Sequence, residues 1–483
     1  MKVEIKNKDI EEIRAVIRNT QYEGRVYVVG GFVRDLLLGR KNDDIDLLID
    51  GNIQAGINFA KWFCGKKRIY DEKNNPLVYG LYGTAMIHYD GKKIECVAPR
   101  KEKYTDGSRN PLVEGCTLEE ESVRRDFTIN SMFINISTGE LVDFSGKGLD
   151  DLKQGVIRST GEPDLIFSQD PLRMLRAIRF SCKLGFPIEE KTLEGIKRNV
   201  FGISIISQER ITEEFNKIMV SDRPSYGLEL IRTTGLLPYI LPEFVSMVGM
   251  EQNGYHFGTV WEHTLKVVDN IQPILEYRLA ALFHDLGKTL TKTVGENGKI
   301  HFYGHEVKSC EMVKDILPRM KYPNKVTNAV KIGSLFHMRF NLDDTPQDKT
   351  IRKFLYYVGE DYFELVLALM EADNKGMKPE YLRLEELAVL RKRIYDMINN
   401  GDFDFNAKLP VDGNDIKQVL EINDSPIIKR IKEHLINCYF KKLKRMMDKD
   451  YCIRIIKEYY KQLENSKKDE KDNFIRRMDS KSL

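Results

Sequence analysis

The stretch from Val26 to Ile49, VYVVGGFVRDLLLGRKNDDIDLLI, decides the fold of the first part of this 483-residue chain. It predicts an apolar strand, a Gly-Gly turn, a short helix and a second strand that carries Asp44 and Asp46. Because side chains alternate between the two faces of a strand, carboxylates at positions i and i+2 point the same way. The two aspartates can therefore share divalent cations, as two-metal phosphoryl transfer requires.

The turn and the short helix suit a phosphate ligand. Gly30 and Gly31 allow a sharp turn and a close approach of the backbone, and the helix N-terminus directs amide dipoles and Arg34 at anionic groups. Together with Mg²⁺ at the two aspartates, these groups predict binding of a nucleoside triphosphate. Either half alone is more often a tight turn or a solvated acidic strand end, so the combination at this spacing favours a functional site.

GGFVRDLLLGR followed by DDIDL resembles the head of the class II tRNA nucleotidyltransferase and bacterial poly(A) polymerase family, within the DNA polymerase beta superfamily. The resemblance implies that Asp44 and Asp46 are catalytic Mg²⁺ ligands and that Gly31 and Arg34 bind the nucleotide. The strand KKIECVA places Glu95 as a candidate third catalytic carboxylate. A surface-facing glutamate is the alternative for this single residue.

RRDFTINSM, from Arg124 to Met132, resembles the second signature of that family. The resemblance makes Arg125 and Asp126 contacts of the nucleotide's sugar hydroxyl and phosphate. An acidic acceptor beside the 2′-hydroxyl would favour ribonucleotides, because a deoxynucleotide would leave that buried group unpaired. The structural alternative is an Arg-Asp pair that ties a loop to the sheet.

The segment QDPLRMLRAIRF is predicted to be a helix that reads the nucleobase. Asp170 and Arg173 lie three residues apart and would share a face, and Arg176 and Arg179 continue the row toward the phosphates. In the family this helix is the protein template that selects CTP and ATP. Gln169 departs from the family's usual Glu and offers Arg173 a neutral, weaker hydrogen bond, which puts base selection in doubt. A salt-bridged exposed face is the alternative.

Six of the 8 histidines fall between His256 and His337, and their order resembles the HD phosphohydrolase domain. The resemblance implies a metal centre that holds one or two divalent ions. Imidazole and carboxylate ligands suit Mn, Ni, Co, Fe or Zn better than Ca²⁺. A metal held there could support hydrolysis of phosphomonoesters or cyclic phosphates. His256 and His301 match no ligand position and are interpreted as ordinary polar residues. The implied ligands are His263, His284, Asp285, His305, His337 and Asp373.

The composition, 42% hydrophobic and 31% charged residues, is typical of a globular protein. No apolar run reaches the length of a membrane span, and the 7 cysteines show no CxxC spacing, so we expect a cytoplasmic protein with reduced thiols. From Lys429 onward, 17 Lys and Arg residues face 9 Asp and Glu residues, although the whole chain carries only +3. This basic end predicts phosphate contacts with RNA, with a solvated amphipathic helix as the alternative.

The predicted fold class is α+β, with a polymerase-beta-like head of mixed sheet and helices followed by all-helical domains. Strands are expected at RVYVVGG, DIDLLID, YGTAMIHY, KKIECVA and TINSMFINI, and none after SGKGLDDLKQG. The length suggests three or four domains. The predicted domains are the head at 1–150, a helical neck with the nucleobase template at 151–245, the HD domain at 246–380 and a basic, tRNA-binding tail at 381–483.

The resemblance implies template-independent addition of CCA to the tRNA 3′ end from CTP and ATP, with a possible second activity in the HD domain. Addition of CC only or A only, or poly(A) synthesis, are alternatives that share the head motifs. The segment GKKRIYDEKNNPLVYG lacks the basic and aromatic pattern associated with the poly(A) branch, which favours tRNA modestly. Two further alternatives are an HD phosphohydrolase with a nucleotide-sensing head and a non-catalytic RNA-binding scaffold. The sequence leaves the oligomeric state open.

Overall fold

The computed structural model describes residues 1–71, 75–103, 112–406, 409–423, 426–441 and 448–479. Residues 72–74 of the GKKRIYDEKNNPLVYG segment lie outside the described residues. The chain divides into two compact units. Unit 1 contains Met1–Ser246 with Arg319–Lys321, and unit 2 contains Met247–Pro318 with Tyr322–Leu483. The division into four domains stays a prediction.

Unit 1 begins with strands and helices in mixed order, as the α+β prediction expects. Each of the five runs predicted to be strands contains one, namely β1, β2, β4, β5 and β8 in the numbering that follows. In chain order the elements are α1 (Lys8–Ile17), β1 (Val26–Val29), α2 (Gly31–Leu37), β2 (Ile45–Ile49), α3 (Ala55–Lys67), β3 (Leu77–Tyr79), β4 (Thr84–Tyr89), β5 (Lys92–Val97), β6 (Arg100–Lys103), β7 (Leu112–Gly115), α4 (Leu118–Val123), β8 (Phe133–Asn135), β9 (Leu141–Val142) and α5 (Gly148–Gln154).

Seven of these strands form one sheet in the order β3-β4-β5-β2-β1-β8-β9, and β6 pairs with β7 separately. Strand β2 lies between β1, to which it is antiparallel, and β5, to which it is parallel. In the β2–β5 register Asp46 is the partner of Glu95. Buried apolar side chains such as Leu47, Leu48 and Ile49 hold β2 in the core, so the carboxylate at its start is fixed by a rigid element.

The rest of unit 1 is helical: α6 (Pro163–Gln169), α7 (Leu172–Leu184), α8 (Glu190–Asn199), α9 (Gln208–Met219), α10 (Pro224–Thr233) and α11 (Leu237–Ile240). The predicted continuous helix over QDPLRMLRAIRF is wrong at its start. Asp170 has extended backbone angles and Pro171 is the N-cap of α7. Proline lacks the backbone N–H and disfavours the helical conformation at the preceding residue, so one helix ends and another begins here.

Unit 2 is helical except for one short hairpin: α12 (Val260–Asn270), α13 (Leu275–Phe283), α14 (Lys288–Thr291), β10 (Thr293–Val294), β11 (Ile300–His301), α15 (His305–Arg319), α16 (Asn324–Phe336), α17 (Asp348–Val358), α18 (Phe363–Lys375), α19 (Leu384–Asn399), α20 (Gly413–Leu420), α21 (Pro426–Lys441) and α22 (Lys449–Asp479). The expectation that strands stop after the head is therefore wrong at β10 and β11, which pair antiparallel. Among the described residues, no helix is both long and apolar enough to cross a membrane.

The fold of the tail rests on a separate apolar cluster of α20, α21 and α22. Ile416, Ile431, Leu435, Cys452 and Ile456 are buried in it. Lys429, Arg430 and Lys432 on α21 are exposed, outside this small core.

Candidate active site and candidate metal centre

One cavity of about 620 Å³ in unit 1 is lined by every residue that the sequence analysis placed in the head and template sites. This volume lies within the range typical of small-molecule sites. Nine Arg or Lys side chains and six carboxylates face it, a surplus of cations that suits an anionic ligand. The predicted residues it brings together are Gly31, Arg34, Asp44, Asp46, Glu95, Arg125, Asp126, Asp170, Arg173, Arg176 and Arg179.

The Gly-Gly turn lies at the floor of this cavity. Gly30 has φ +69°, a conformation that favours glycine. A Cβ atom on Gly30 would lie 3.3 Å from Nη1 of Arg125 and 3.6 Å from Oδ2 of Asp46. The turn thus brings bare backbone beside a cation and a candidate metal ligand, and a side chain there would crowd both.

Three carboxylates gather at the same end. Asp44 is exposed and precedes β2, so the prediction that the strand carries both aspartates is wrong for Asp44. Asp46 is on β2, and Glu95 is the register partner of Asp46 on β5. Burial, with the charges of Glu95 and Asp44, raises the pKa of Asp46 to about 6. Such mutual repulsion is relieved by a divalent cation, so the donor set fits Mg²⁺. Among the described residues, groups of three candidate ligand atoms within 4.8 Å of one another occur only in unit 2. The ligand atoms of these three carboxylates are therefore farther apart than those in unit 2.

The raised pKa of Asp46 predicts a pH-dependent metal requirement. Below a pH of about 6 a proton competes with the cation, so the Mg²⁺ concentration for half-maximal activity should rise by about tenfold per pH unit. Metal titrations of activity between pH 5 and 8 measure this rise. In the variant Glu95→Gln the rise should begin at a lower pH, because one of the charges that raise the Asp46 pKa is gone. A metal requirement independent of pH over this range would contradict the assignment.

Arg34 forms hydrogen bonds with other side chains of the same chain. This guanidinium is 2% exposed, donates through Nε and Nη2 to Asp35 at 2.8 Å each, and donates through Nη1 to Asn130 at 2.8 Å. It differs in this respect from the expectation of a free phosphate-binding cation, because a buried guanidinium requires a partner of opposite charge. Its remaining N–H groups border the cavity beneath Gly31.

Asp126 and Arg125 are also held in place. Asp126 accepts from Nε and Nη2 of Arg176 at 2.8 and 2.6 Å and from Asn130 at 3.2 Å. Although burial acts to raise it, the pKa of Asp126 is lowered by Arg176 and these hydrogen bonds, so it is a carboxylate. Arg125 donates to Glu121 at 3.2 Å, whereas its buried Nε has no hydrogen-bond partner.

The predicted base-reading pair also lines the cavity. Asp170 accepts from the backbone N–H of Leu172 at 3.1 Å and from Nη2 of Arg210 at 2.9 Å. Arg173 donates to the carbonyl of Arg124 at 2.7 Å and to Oε1 of Gln169 at 3.3 Å. The pair shares one edge of the cavity although Asp170 lies outside the helix. The Gln169 bond is long, as expected of a neutral acceptor.

Several residues of the cavity carry contacts that sequence reasoning missed. Arg179 lies 3.2 Å from Glu214 on α9, which holds it by an ion pair instead of leaving it toward the phosphates. Arg210, Asn130, Asp35 and Glu121 also bind predicted site residues. Asn130 lies in RRDFTINSM, so that motif marked the segment but not the individual residue.

Unit 2 contains a second cluster, formed by the predicted HD ligands. Nε2 of His284 and Nε2 of His305 each lie 3.2 Å from Asp285, on different carboxylate oxygens. Nε2 of His263 lies 2.9 Å from Oδ1 of Asp373. His284 and Asp285 lie in the turn that follows α13.

The tautomers of three histidines are fixed by backbone carbonyls. A carbonyl only accepts, so Nδ1 carries a proton, and in the neutral ring Nε2 presents a lone pair to the centre of the cluster. Nε2 of His284 and of His305 is buried without a hydrogen-bond partner. The contacts are His284 with Ala281 at 2.8 Å, His305 with Phe302 at 2.8 Å and His337 with Ser334 at 2.7 Å.

This arrangement fits a metal ion. Lone pairs of imidazole and carboxylate that face each other at 3.2 Å repel unless a metal ion or a proton lies between them. Although burial acts to lower it, the pKa of His284 is raised to about 10 by Asp285 and Asp373, so without a metal ion a proton takes that place on His284. Two ligands about 2.1 Å from one ion are separated by roughly this distance. Burial and the neighbouring His284 lower the pKa of His337 to about 3, which keeps it in the neutral form that binds metals.

His256 and His301, which the sequence analysis set apart from the ligands, line the same cavity of about 480 Å³. The ring of His256 is 4.3 Å from that of His263, and burial lowers the pKa of His256 to about 3. The ring of His301 stacks on exposed Tyr303 at 5.2 Å. Both therefore border the candidate metal centre, although neither belongs to the ligand groups within 4.8 Å of one another found in the described chain.

Comparison with known proteins gives a consistent picture. Residues 26–158 match the poly A polymerase head domain, residues 185–247 a probable RNA and SrmB- binding site of polymerase A, and residues 255–378 the HD domain. The chain is 31% identical over 360 residues to the CC-adding tRNA nucleotidyltransferase of Thermus thermophilus, across 72% of this chain and 75% of that protein. It is 30% identical over 349 residues to the multifunctional CCA protein of Stenotrophomonas maltophilia, across 68% and 80%.

The fold resembles that of the Bacillus stearothermophilus CCA-adding enzyme solved in complex with CTP. The TM-score is 0.63 at 22% identity, over 95% of this chain and 100% of that chain. The fold and the cavity define a nucleotidyltransferase, and the α+β prediction is confirmed. With relatives matched over this much of their length, the chain belongs to the class II tRNA nucleotidyltransferase and bacterial poly(A) polymerase family, with a fused HD domain.

Proposed function

We propose that this chain adds CCA to the 3′ end of tRNA from CTP and ATP. The observation that carries the proposal is the single cavity in which the carboxylates of β2 and β5, the Gly-Gly turn and the residues of α7 face one another. The family also contains CC-adding and multifunctional CCA proteins, such as the two relatives above. We also propose that the protein acts in the cytoplasm.

The proposed reaction is an in-line displacement. The tRNA 3′-hydroxyl oxygen forms a bond to the α-phosphorus, the bond to the bridging oxygen breaks, pyrophosphate leaves and the hydroxyl proton passes to solvent or a carboxylate. Asp44 and Asp46, with Glu95 beside them, would hold Mg²⁺. When bound, this ion neutralises phosphate charge and lowers the pKa of the attacking hydroxyl.

The chain's own cations orient the triphosphate. Arg125 borders Gly30 and keeps a buried Nε without a partner, so it can turn a donor to phosphate or sugar oxygen. Lys183 and Arg100 also line the cavity. The surplus of cations binds the triphosphate from several sides and holds the α-phosphate near the carboxylates.

Asp170 and Arg173 are proposed to read the base edge. Nη2 of Arg210 donates to Asp170 at 2.9 Å. The Arg210 side chain is 51% exposed, so a base that donates to Asp170 can replace Arg210 at little cost. Arg173 is fixed by the Arg124 carbonyl and retains further donors. We propose that Arg176 and Arg179 position α7 through Asp126 and Glu214.

The replacement Gln169→Glu is expected to strengthen the hold on Arg173. A charge-assisted bond would replace the neutral 3.3 Å contact, but Gln169 is exposed, so the gain is about 0.5 kcal/mol, or roughly twofold in the preference for CTP over UTP. Steady-state kinetics with each nucleotide measure the ratio. The matched control is Gln208→Glu on α9. A lower preference for CTP in Gln169→Glu would contradict this account.

The experiment that tests the function offers the purified protein tRNA lacking its last three nucleotides, with CTP and ATP singly and together. CTP alone should add two nucleotides, and both together three. Addition of only two nucleotides under every condition would indicate a CC-adding enzyme. Addition of a single A, and only to tRNA that already ends in CC, would indicate an A-adding enzyme. Long A tracts would overturn the choice in favour of a poly(A) polymerase, and binding without addition in favour of an RNA-binding scaffold.

We also propose that the HD domain is a metal-dependent phosphohydrolase, supported by the two groups of buried ligands in unit 2. The residues would hold Mn, Ni, Co, Fe or Zn, with His284 and Asp285 central. The test is hydrolysis of p-nitrophenyl phosphate and bis-p-nitrophenyl phosphate with each metal, which separates a phosphatase from a phosphodiesterase. Absence of turnover with every metal would leave a structural metal site.

The four predicted domains, with their predicted boundaries, are also part of the proposal. The basic tail is proposed to bind the tRNA backbone by recognising its shape.

A further inference from the structure

We propose that a chain of side-chain hydrogen bonds couples the metal-binding loop to the base-reading helix and thereby sharpens base choice. This inference rests on the proposed nucleotidyltransferase function. We call the chain the relay, and it positions the groups at its two ends without touching the reacting atoms. The relay consists of Asn42, Asp35, Arg34, Asn130, Asp126 and Arg176.

The metal end of the relay is Asn42, in the loop before β2. Oδ1 of Asn42 accepts from the backbone N–H of Asp44 at 2.9 Å, and its Nδ2 donates to Asp35 at 2.7 Å. The same side chain therefore fixes the backbone of a candidate metal ligand and a carboxylate that is 4% exposed.

The middle of the relay is buried. Asp35 accepts two hydrogen bonds from Arg34, and Nη1 of Arg34 donates at 2.8 Å to Oδ1 of Asn130. Asn130 is 6% exposed and donates through Nδ2 to Asp126 at 3.2 Å. Its amide orientation is determined, because a guanidinium can only donate and a carboxylate can only accept.

The base end of the relay is Arg176 on α7. It binds Asp126 through two hydrogen bonds and follows Arg173 by three residues, so both lie on one face of the helix. Any shift of α7 would therefore pull on Asp126.

The relay has the features of a cooperative network. Its ionised members alternate in sign in the order Asp35, Arg34, Asp126 and Arg176. Asn42 donates to Asp35, and Asn130 accepts from Arg34 and donates to Asp126, so each of the two carboxylates accepts from both of its neighbours. Buried networks of this kind respond as a unit, because a partner left unpaired costs more than the bond itself contributes. Loss of one hydrogen bond should therefore change the positions of the groups at both ends of the relay.

The test uses Asn42→Ala and Asn130→Asp. Asn42→Ala removes the link farthest from the base. Asn130→Asp keeps an acceptor for Arg34 but places a second carboxylate against Asp126. The matched controls are Asn52→Ala, which loses a similar turn bond to Gln54 outside the cavity, and Asn135→Asp, a buried strand asparagine that binds Gly24. Incorporation of CTP and UTP into tRNA lacking its last three nucleotides gives kcat and KM, and calorimetry of both nucleotides gives the binding ratio without turnover.

We expect Asn42→Ala to lower the preference for CTP over UTP by about threefold to tenfold, although it contacts the loop of Asp44 and not the base. Asn130→Asp should lower it at least as much, with kcat falling more than KM rises. The double variant should discriminate no worse than Asn130→Asp, because the chain is already broken. Both controls should keep the wild-type ratio.

A wild-type CTP preference in Asn42→Ala, or effects of the two replacements that multiply independently, would overturn the relay. If Asn130→Asp does not fold, Asn42→Ala alone decides by the same ratio. Failure of the proposed function is distinguishable, because then the wild-type protein itself adds no C to tRNA, and the calorimetric ratio still tests the relay.

Discussion

Replacement of Asp46 by asparagine is expected to abolish nucleotide addition, by on the order of 10³-fold or more, while tRNA binding is retained. The side chain keeps its size but loses the charge that holds the metal between the strands. Its carboxylate has a pKa raised to about 6 by burial and by Glu95 and Asp44, so its removal relieves repulsion. The melting temperature should therefore stay unchanged or rise.

The matched control for this prediction is Asp43→Asn. Asp43 is a neighbouring exposed carboxylate that pairs with Lys41 at 3.2 Å and does not line the cavity. It should keep full activity. Single-turnover incorporation of CTP, together with gel-shift binding of tRNA, separates loss of chemistry from loss of binding. Extension of tRNA by Asp46→Asn at the wild-type rate would refute the two-metal mechanism.

Replacement of Asp285 by alanine is expected to remove metal from unit 2 and to abolish hydrolysis there, again by on the order of 10³-fold or more. Asp285 lies 3.2 Å from both His284 and His305 and accepts from Lys288 at 2.6 Å, so its loss also leaves a buried ammonium without its carboxylate. Breaking such a buried pair costs roughly 3–5 kcal/mol, and the unfolding midpoint of unit 2 should fall.

Nucleotide addition separates this effect from general damage. All the residues of the proposed nucleotidyltransferase cavity belong to unit 1, so the Asp285→Ala protein should add nucleotides within about twofold of the wild-type rate when folded. Asp315→Asn, an exposed carboxylate on α15, is the control. Metal content by mass spectrometry of the purified proteins is the direct measurement. Wild-type metal content in Asp285→Ala would exclude the assigned centre.

Much of this molecule is readable in its sequence because strong patterns coincide with rigid elements. The apolar runs around Asp46 and Glu95 predict their strands, and the strands place the two carboxylates side by side. The histidine order likewise predicts residues that converge in space. These predictions depend on covalent spacing and periodicity, which a single chain displays directly.

The partners of the arginines are what the sequence does not display. The sequence motifs predict phosphate ligands at Arg34, Arg176 and Arg179. In the structure their guanidinium groups form ion pairs with Asp35, Asp126 and Glu214, respectively. A long side chain can reach many partners, and the choice depends on which carboxylates the tertiary fold buries nearby. The break at Pro171 is different, because proline chemistry was visible in the sequence and was outweighed by the helical spacing around it.

The imidazoles of unit 2 also have a bearing on how the metal centre is assembled. His284 and His337 occupy the C-caps of α13 and α16, where each donates to a carbonyl of the last turn. Helix ends leave such carbonyls in need of donors, so these ligands complete the helices that carry them. The orientation of the ligands is consequently settled when the helices fold, before any ion arrives. Capture of a metal ion by the proposed centre would then demand little ordering of side chains, and the choice of ion would depend on which ions the cell supplies.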